Sequence, residues 1–215
     1  MKYEIREIDP GNKRDVETVA RLHLELLPQG PMANLGEIFL SRFCYTHLIK
    51  DGLIRAALLE IDGIPAGFIA YTDRSITFHR KAVKERYWLI VYLTLLSVIR
   101  KPQVILRLPR AMRLMLRRRC EIRIQEDPLA EIVAIGVRRK YTQPSFVRSS
   151  GIRVPQELIR HASSYFRQVG LDKVRMLVDE DNRAAKLFYH SLGAHIDKYH
   201  LADEPTVQVW LDLAP

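Results

Sequence analysis

The sequence predicts an α/β (α+β) domain, a sheet flanked by helices, with a basic helical insertion between two strands. Three observations predict it. The N-terminal part reads strand, two helices, hairpin. The C-terminal part reads buried strand, loop, helix, strand, helix and two further strands. Between them lies a segment whose charge differs from that of the rest of the chain.

Residues 2 to 8 alternate in the period of a half-buried strand. Asp9-Pro10-Gly11-Asn12 is a turn. Val16, Val19, Ala20, Leu22, Leu26 and Leu27 recur at helical spacing until Pro28 to Pro31 stop the helix. A second helix is expected at about 34 to 50. Leu53 to Ile61 and Ile64 to Thr72 read as strands joined by Asp62-Gly63, a hairpin signal. Residues 79 to 100 read as a helix that is apolar nearly all round in its second half, ended by Pro102. Residues 103 to 119 carry Val104, Leu108, Met112 and Met115 on one stripe with arginines between them, and Pro109 predicts a kink.

The C-terminal elements follow. Leu129 to Val137 reads as a buried strand and 138 to 152 as a long loop. Val154 to Val169 is an amphipathic helix with Pro155 in its first turn and Gly170 after its end. Lys173 to Val178 is a strand, Asn182 to Leu192 a helix closed by Gly193, and 194 to 201 and 206 to 213 are strands.

The 215 residues are 47% hydrophobic and 27% charged, which excludes a disordered tail and suits one domain, 1 to 215, with an insertion at about 73 to 125. The net charge is +9, yet Asp73 to Arg123 alone holds 14 Lys/Arg against three acids. The other 20 basic and 22 acidic residues net −2, so the basic character belongs to one segment. The start lacks the apolar core of a secretory signal. The longest near-continuous apolar run, Trp88 to Ile99, is 12 residues, short of the ~20 that a membrane span needs. Cys44 and Cys120 stand in no metal or redox spacing and read as reduced thiols of a cytoplasmic protein. The seven histidines form no zinc motif, so no metal is expected.

Two blocks carry chemistry. The loop delivers Arg148-Ser149-Ser150-Gly151-Ile152-Arg153 to the start of a helix, where backbone N–H groups and the macrodipole favour a pyrophosphate, and Gly151 permits close approach. Further on, Asn182, Ala185, Tyr189 and Gly193 stand in the spacing Asn-x-x-Ala-x-x-x-Tyr-x-x-x-Gly. This arrangement resembles the GNAT superfamily of acyl-coenzyme A-dependent N-acyltransferases. The strand order fits over about 2 to 72 and 129 to 213. The family's phosphate motif is Gln/Arg-x-x-Gly-x-Gly/Ala. Arg148 and Gly151 match it, Arg153 replaces the last small residue, and about six residues, Thr142 to Val147, are extra.

The resemblance implies a mixed, largely antiparallel central sheet whose basic segment precedes the fourth strand. It implies transfer of an acetyl group from acetyl-coenzyme A to a primary amine, without a metal. Arg148 to Arg153 would hold phosphate, Asn182 the pantetheine side, and Ala185 would be a further cofactor contact. Tyr189 would serve as general acid to the leaving thiolate. Backbone N–H groups of Ile135, Gly136 and Val137 would bind pantetheine and polarise the acyl carbonyl. Glu131, a carboxylate in an apolar strand, is the candidate base. Strict alternation places it on one face with Val133, Ile135 and Val137. His79, His190 and Asp179 are further candidates.

The resemblance implies that the acceptor would be a small-molecule or peptide amine. The insertion reads as a lid favouring an anionic acceptor, as a membrane-surface element through 79 to 119 with Tyr87, Trp88 and Tyr92, or as a packed helix pair with solvated charges. No motif points to nucleic acid. The run 88 to 99 suits a homodimer surface or a core helix. A second reading, carried by Arg153 and the long loop, is a degenerate coenzyme A-binding or membrane-surface module without transferase activity.

Overall fold

The structure is a computed structural model and describes residues 1–30, 32–100, 128–197 and 206–213. Strands β1 (Tyr3–Glu7), β2 (Arg55–Ile61), β3 (Ile64–Thr72), β4 (Ala130–Val137), β5 (Lys173–Asp179), β6 (His195–Asp197) and β7 (Thr206–Asp212) form one sheet. Their order is β1-β2-β3-β4-β5-β7-β6. Every pairing is antiparallel except β4 with β5, so the sheet is mixed and largely antiparallel, as the sequence led one to expect.

Helices cover both faces. On one lie α1 (Lys13–Leu26), α2 (Glu37–Phe39, running on as a π-helical stretch Leu40–Leu48) and α3 (Phe78–Arg100). Asn12 caps α1, its Oδ1 accepting from the Arg14 N–H at 3.0 Å. The apolar stripe Val16, Val19, Ala20 and Leu22 then packs with Phe39, Phe43, Leu58 and Phe68. On the other face, α5 (Val154–Gln168) sets Leu158, Ala162 and Phe166 against Ile69, Tyr71, Ile132 and Met176. Each large side chain so buried contributes about 1.5–3 kcal/mol. Between β4 and α5 stands a short helix, α4 (Pro144–Ser150), and α6 (Arg183–Ser191) follows β5.

Three features depart from the sequence expectation. The second helix takes π geometry over Leu40–Leu48, because apolar spacing over so few turns fits the wider helix as well as the 3.6-residue one. The loop expected over 138 to 152 contains α4, started by Pro144 at its first turn and closed by Gly151 in the left-handed conformation at φ 71°. In α3, Arg86 has non-helical angles (φ −123°, ψ 23°), which kinks the helix where Arg86 forms a bidentate pair with Asp51.

The chain leaves β3 and returns to β4 at one place. Leu129 N–H donates to the Asp73 carbonyl at 2.9 Å and Ser75 N–H to the Leu129 carbonyl at 3.2 Å. The two ends of the segment between β3 and β4 are thus stapled side by side. The helix expected over 103–119, Cys120 and the second half of the strand expected over 194–201 lie outside the described residues.

Candidate active site

The parallel strands β4 and β5 pair only over Ala130↔Val174, Glu131↔Arg175 and Ile132↔Met176. Past that point β4 stays on β3 as far as Val137, while β5 runs with β7 to Asp179. The strands therefore part. Arg138 N–H donates to the Ala66 carbonyl of β3 at 2.9 Å. Backbone groups alternate along a strand, so Gly136 also turns its N–H to β3, and Ile135 and Val137 turn theirs into the opening. Main-chain N–H groups that have lost a strand neighbour are available to other partners. Gly136 contributes space instead of a donor. A Cβ there would stand 2.8 Å from Phe68 and 3.0 Å from Leu26, so α1 rides directly on the strand.

The opening is a cleft of about 520 Å³. β4 lines it with Ile135, Gly136 and Val137, the start of α5 with Arg153, Pro155 and Gln156, and α6 with Ala185, Phe188 and Tyr189. The chain's turn after β4 adds Tyr141 and Thr142. Among these described lining residues Arg153 carries the one charge, exposed at the N-terminus of α5. Tyr189 is buried, and burial pushes its hydroxyl up to about 12. The hydroxyl makes no hydrogen bond among the described residues.

The other predicted residues sit differently. Arg148, Ser149 and Ser150 belong to α4 and do not line the cleft. Their N–H groups fall in its helical ladder, Gly151 N–H donates to the Val147 carbonyl, and Ile152 N–H donates to Ser150 Oγ at 3.1 Å. Arg148 Nε turns back to the Pro144 carbonyl at 3.3 Å. Helix formation by the extra residues has consumed donors that an open loop would have offered to phosphate. Asn182 caps α6, accepting from the Ala185 N–H at 3.0 Å. His190 and Asp179 are exposed, and the side chain of His79 lies outside the description.

Glu131 is 1% exposed and is absent from the lining of the cleft. Its Oε2 accepts from Arg175 Nη2 at 2.6 Å and from the Ser75 hydroxyl. The expected alternation is corrected here. The β3–β4 register shifts between Ala70↔Ala134 and Tyr71↔Ile132, leaving Val133 as a bulge. Ala130, Ile132, Ile135 and Val137 all pack toward α5, whereas Ala134 and Gly136 face α1. Glu131, between Ala130 and Ile132, is therefore in phase with Ala134 and Gly136, and not with Ile135 and Val137.

Sequence reasoning missed Phe188, Gln156, Tyr141 and Thr142. Phe188 could have been found as the neighbour of Tyr189 and Gln156 from its place in the first turn after Pro155. Tyr141 and Thr142 carry no signal of their own.

Among the described residues no group of three or more His, Cys, Asp or Glu is placed to hold a metal. No family profile and no curated protein matches the chain. Solved structures match it along its length. SsHAT is 18% identical with a TM-score of 0.59, covering 100% of both chains. The PaiA N-acetyltransferase of Thermoplasma acidophilum, solved with coenzyme A, is 13% identical with a TM-score of 0.54, covering 99% of both. A GNAT-family acetyltransferase of Streptococcus pneumoniae is 14% identical with a TM-score of 0.54, covering 99% of this chain and 100% of the other. At such identities the likeness is one of fold: the chain has the GNAT acetyltransferase fold.

Proposed function

We propose that the chain is an N-acyltransferase that moves an acyl group from an acyl-coenzyme A, acetyl-coenzyme A in the reading the family resemblance gives, to a primary amine. One observation carries this. The parted β4–β5 edge and Tyr189, whose hydroxyl has no hydrogen-bond partner among the described residues, line a single cleft with Arg153. A pantetheine arm is itself a chain of amides. It can lie along β4 where β5 is missing and take the N–H groups of Ile135 and Val137. Arg153, exposed and lining the same cleft, would take phosphate, which guanidinium binds well.

In the transfer, the amine nitrogen bonds to the thioester carbon, the C–S bond breaks, and the proton lost by nitrogen ends on sulfur. Atoms balance without a further reactant. Strand N–H groups stabilise the oxyanion, and holding amine and thioester together supplies much of the rate. A hydroxyl at about 12 holds its proton against an alkyl thiolate, whose conjugate acid lies near ~8.5. Tyr189 is accordingly a hydrogen-bond donor to the leaving sulfur more than a proton source. Glu131, committed to Arg175, holds β4 to β5 just before they part and acts as a positioning residue. Calorimetric titration with coenzyme A tests the reading: binding that is lost when Val137 is changed to Pro, which removes one strand donor, supports it. Absence of binding at low salt overturns it.

The second half of α3 carries a further assignment. Trp88, Tyr92, Leu95 and Ile99 recur at one helical stripe and are 79%, 55%, 57% and 76% exposed. Arg80, Lys81, Lys84 and Arg100 of the same helix are exposed beside one acid, Glu85. Apolar area framed by cations suits the surface of an anionic membrane. No helix among the described residues is long and apolar enough to cross one.

A further inference from the structure

Past Ile132, β4 pairs with β3 and no longer with β5. A strand paired on one side can roll about that partner, and the guanidinium of Arg138 opposes this roll. Arg138 follows Val137 directly. Its N–H donates to the Ala66 carbonyl and its Nη1 to the Pro65 carbonyl, both at 2.9 Å, so the end of β4 is tied twice to the start of β3. Nε and Nη2 reach the other way and donate to the two carboxylate oxygens of Glu25, at 2.9 and 2.8 Å. A lysine ammonium cannot supply such a planar fork.

Glu25 is a firm point to pull against. It lies in the last turn of α1, and its neighbours anchor that turn. Nδ1 of His23 lies 2.6 Å from the Tyr45 hydroxyl of α2, and the ring stacks on Phe68 at 5.4 Å between centroids. Leu26 meets β4 itself, since a Cβ on Gly136 would stand 3.0 Å from its side chain. The acid is out of place on local grounds. A carboxylate in the last turn of a helix opposes the macrodipole, and alanine would suit the position better. Arg138 accounts for it: the hydrogen bonds from its guanidinium hold the Glu25 carboxyl below the usual carboxylate range. The two side chains are 31% and 48% exposed, and pairs so open add little to stability.

We infer that Arg138, held by Glu25, is a positioning residue that fixes the roll of β4 so that the N–H groups of Ile135 and Val137 point into the cleft. The inference rests on the acyl-coenzyme A reading of that cleft. Its test is calorimetric titration of coenzyme A into the wild type, Glu25→Ala and Arg138→Lys, with urea midpoints measured alongside. Removing an acid should, by charge alone, tighten the binding of an anion. The clamp gives the opposite sign: Glu25→Ala is expected to bind coenzyme A about tenfold more weakly, at an equal or higher urea midpoint. Arg138→Lys keeps the charge and loses the fork, and should weaken binding to the same degree. Wild-type or tighter binding by either variant overturns the inference and leaves the cleft reading standing. A midpoint that falls in step with affinity also overturns it, because the pair would then be merely structural. A wild-type protein that ignores coenzyme A overturns both. Arg138→Lys decides by itself if Glu25→Ala does not fold.

Discussion

Glu131 and Arg175 face each other across β4 and β5 one step before the last paired residues, Oε2 and Nη2 2.6 Å apart. A carboxylate buried this deeply is held by its partner and would be costly alone. Removing either member of such a pair costs about 3–5 kcal/mol. Glu131→Gln and Arg175→Met should each lower the urea midpoint, and both should reduce turnover together, since the strands lose their fixed parting point. If Glu131 instead removes the amine proton, Glu131→Gln alone abolishes kcat and the acid limb of the pH–rate profile, while Arg175→Met spares both.

Tyr189→Phe should lower kcat about ten- to a hundredfold with little change in KM. That is the size expected for one hydrogen bond to a charged atom made only as sulfur leaves. Burial keeps the hydroxyl protonated up to about pH 12. The wild-type rate should therefore show no decline between pH 8.5 and 10.5 that the Phe variant abolishes. Such a decline would assign Tyr189 an ordinary phenol and remove the argument for its role.

His23 makes folding sensitive to acid. Its folded value of about 4 lies below the ~6.5 of an unfolded histidine. Between these values the unfolded chain binds the extra proton, so stability falls as pH drops from ~6.5 toward about 4, by ~3 kcal/mol in all. Urea midpoints at pH 7, 5.5 and 4.5 should fall accordingly. His23→Gln, which keeps a partner for Tyr45, should flatten the slope over that range. An unchanged slope would show that other groups set it.

Arg153 is exposed, so its contribution to phosphate binding is modest and screened. Arg153→Ala should weaken coenzyme A binding about three- to tenfold at low salt, and the gap should close at high salt. A loss that persists at high salt would mean that the side chain packs against the ligand.

The α3 stripe is tested by sedimentation with vesicles. Wild-type protein should sediment with vesicles containing anionic lipid and remain free with neutral ones. Trp88→Ser combined with Ile99→Ser should abolish sedimentation. A wild-type protein that ignores anionic vesicles refutes the assignment.

Much of this architecture is legible in the residues. Hairpin signals, helix caps and strand periodicity placed β1 to β5, α1 and α5, because each is a local property of a short window. The spacing from Asn182 to Gly193 put Ala185 and Tyr189 on one helix that does line the cleft. What stayed hidden depends on contacts between distant segments. No pattern in Ala130–Val137 announces that Val133 is the extra residue, since the bulge exists only in register with β3. Residues 138 to 152 read as a loop because a seven-residue helix, Pro144–Ser150, is too short to show an apolar period. The His23–Tyr45 contact joins two helices and has no sequence signature.

The bulge at Val133 also divides β4 into two lengths of opposite phase. Upstream, Glu131 and Ile132 answer to β5 and to the stability of the sheet. Downstream, Ile135 and Val137 answer to the cleft. One inserted residue lets a continuous strand serve both, like two gears meshed through an idler. Substitutions upstream of it, apart from Glu131, whose pair with Arg175 fixes the parting point, can then tune the melting temperature with little trace in ligand affinity, and those downstream the reverse. Deleting Val133 would merge the two halves into one rhythm and couple the properties that the fold keeps apart.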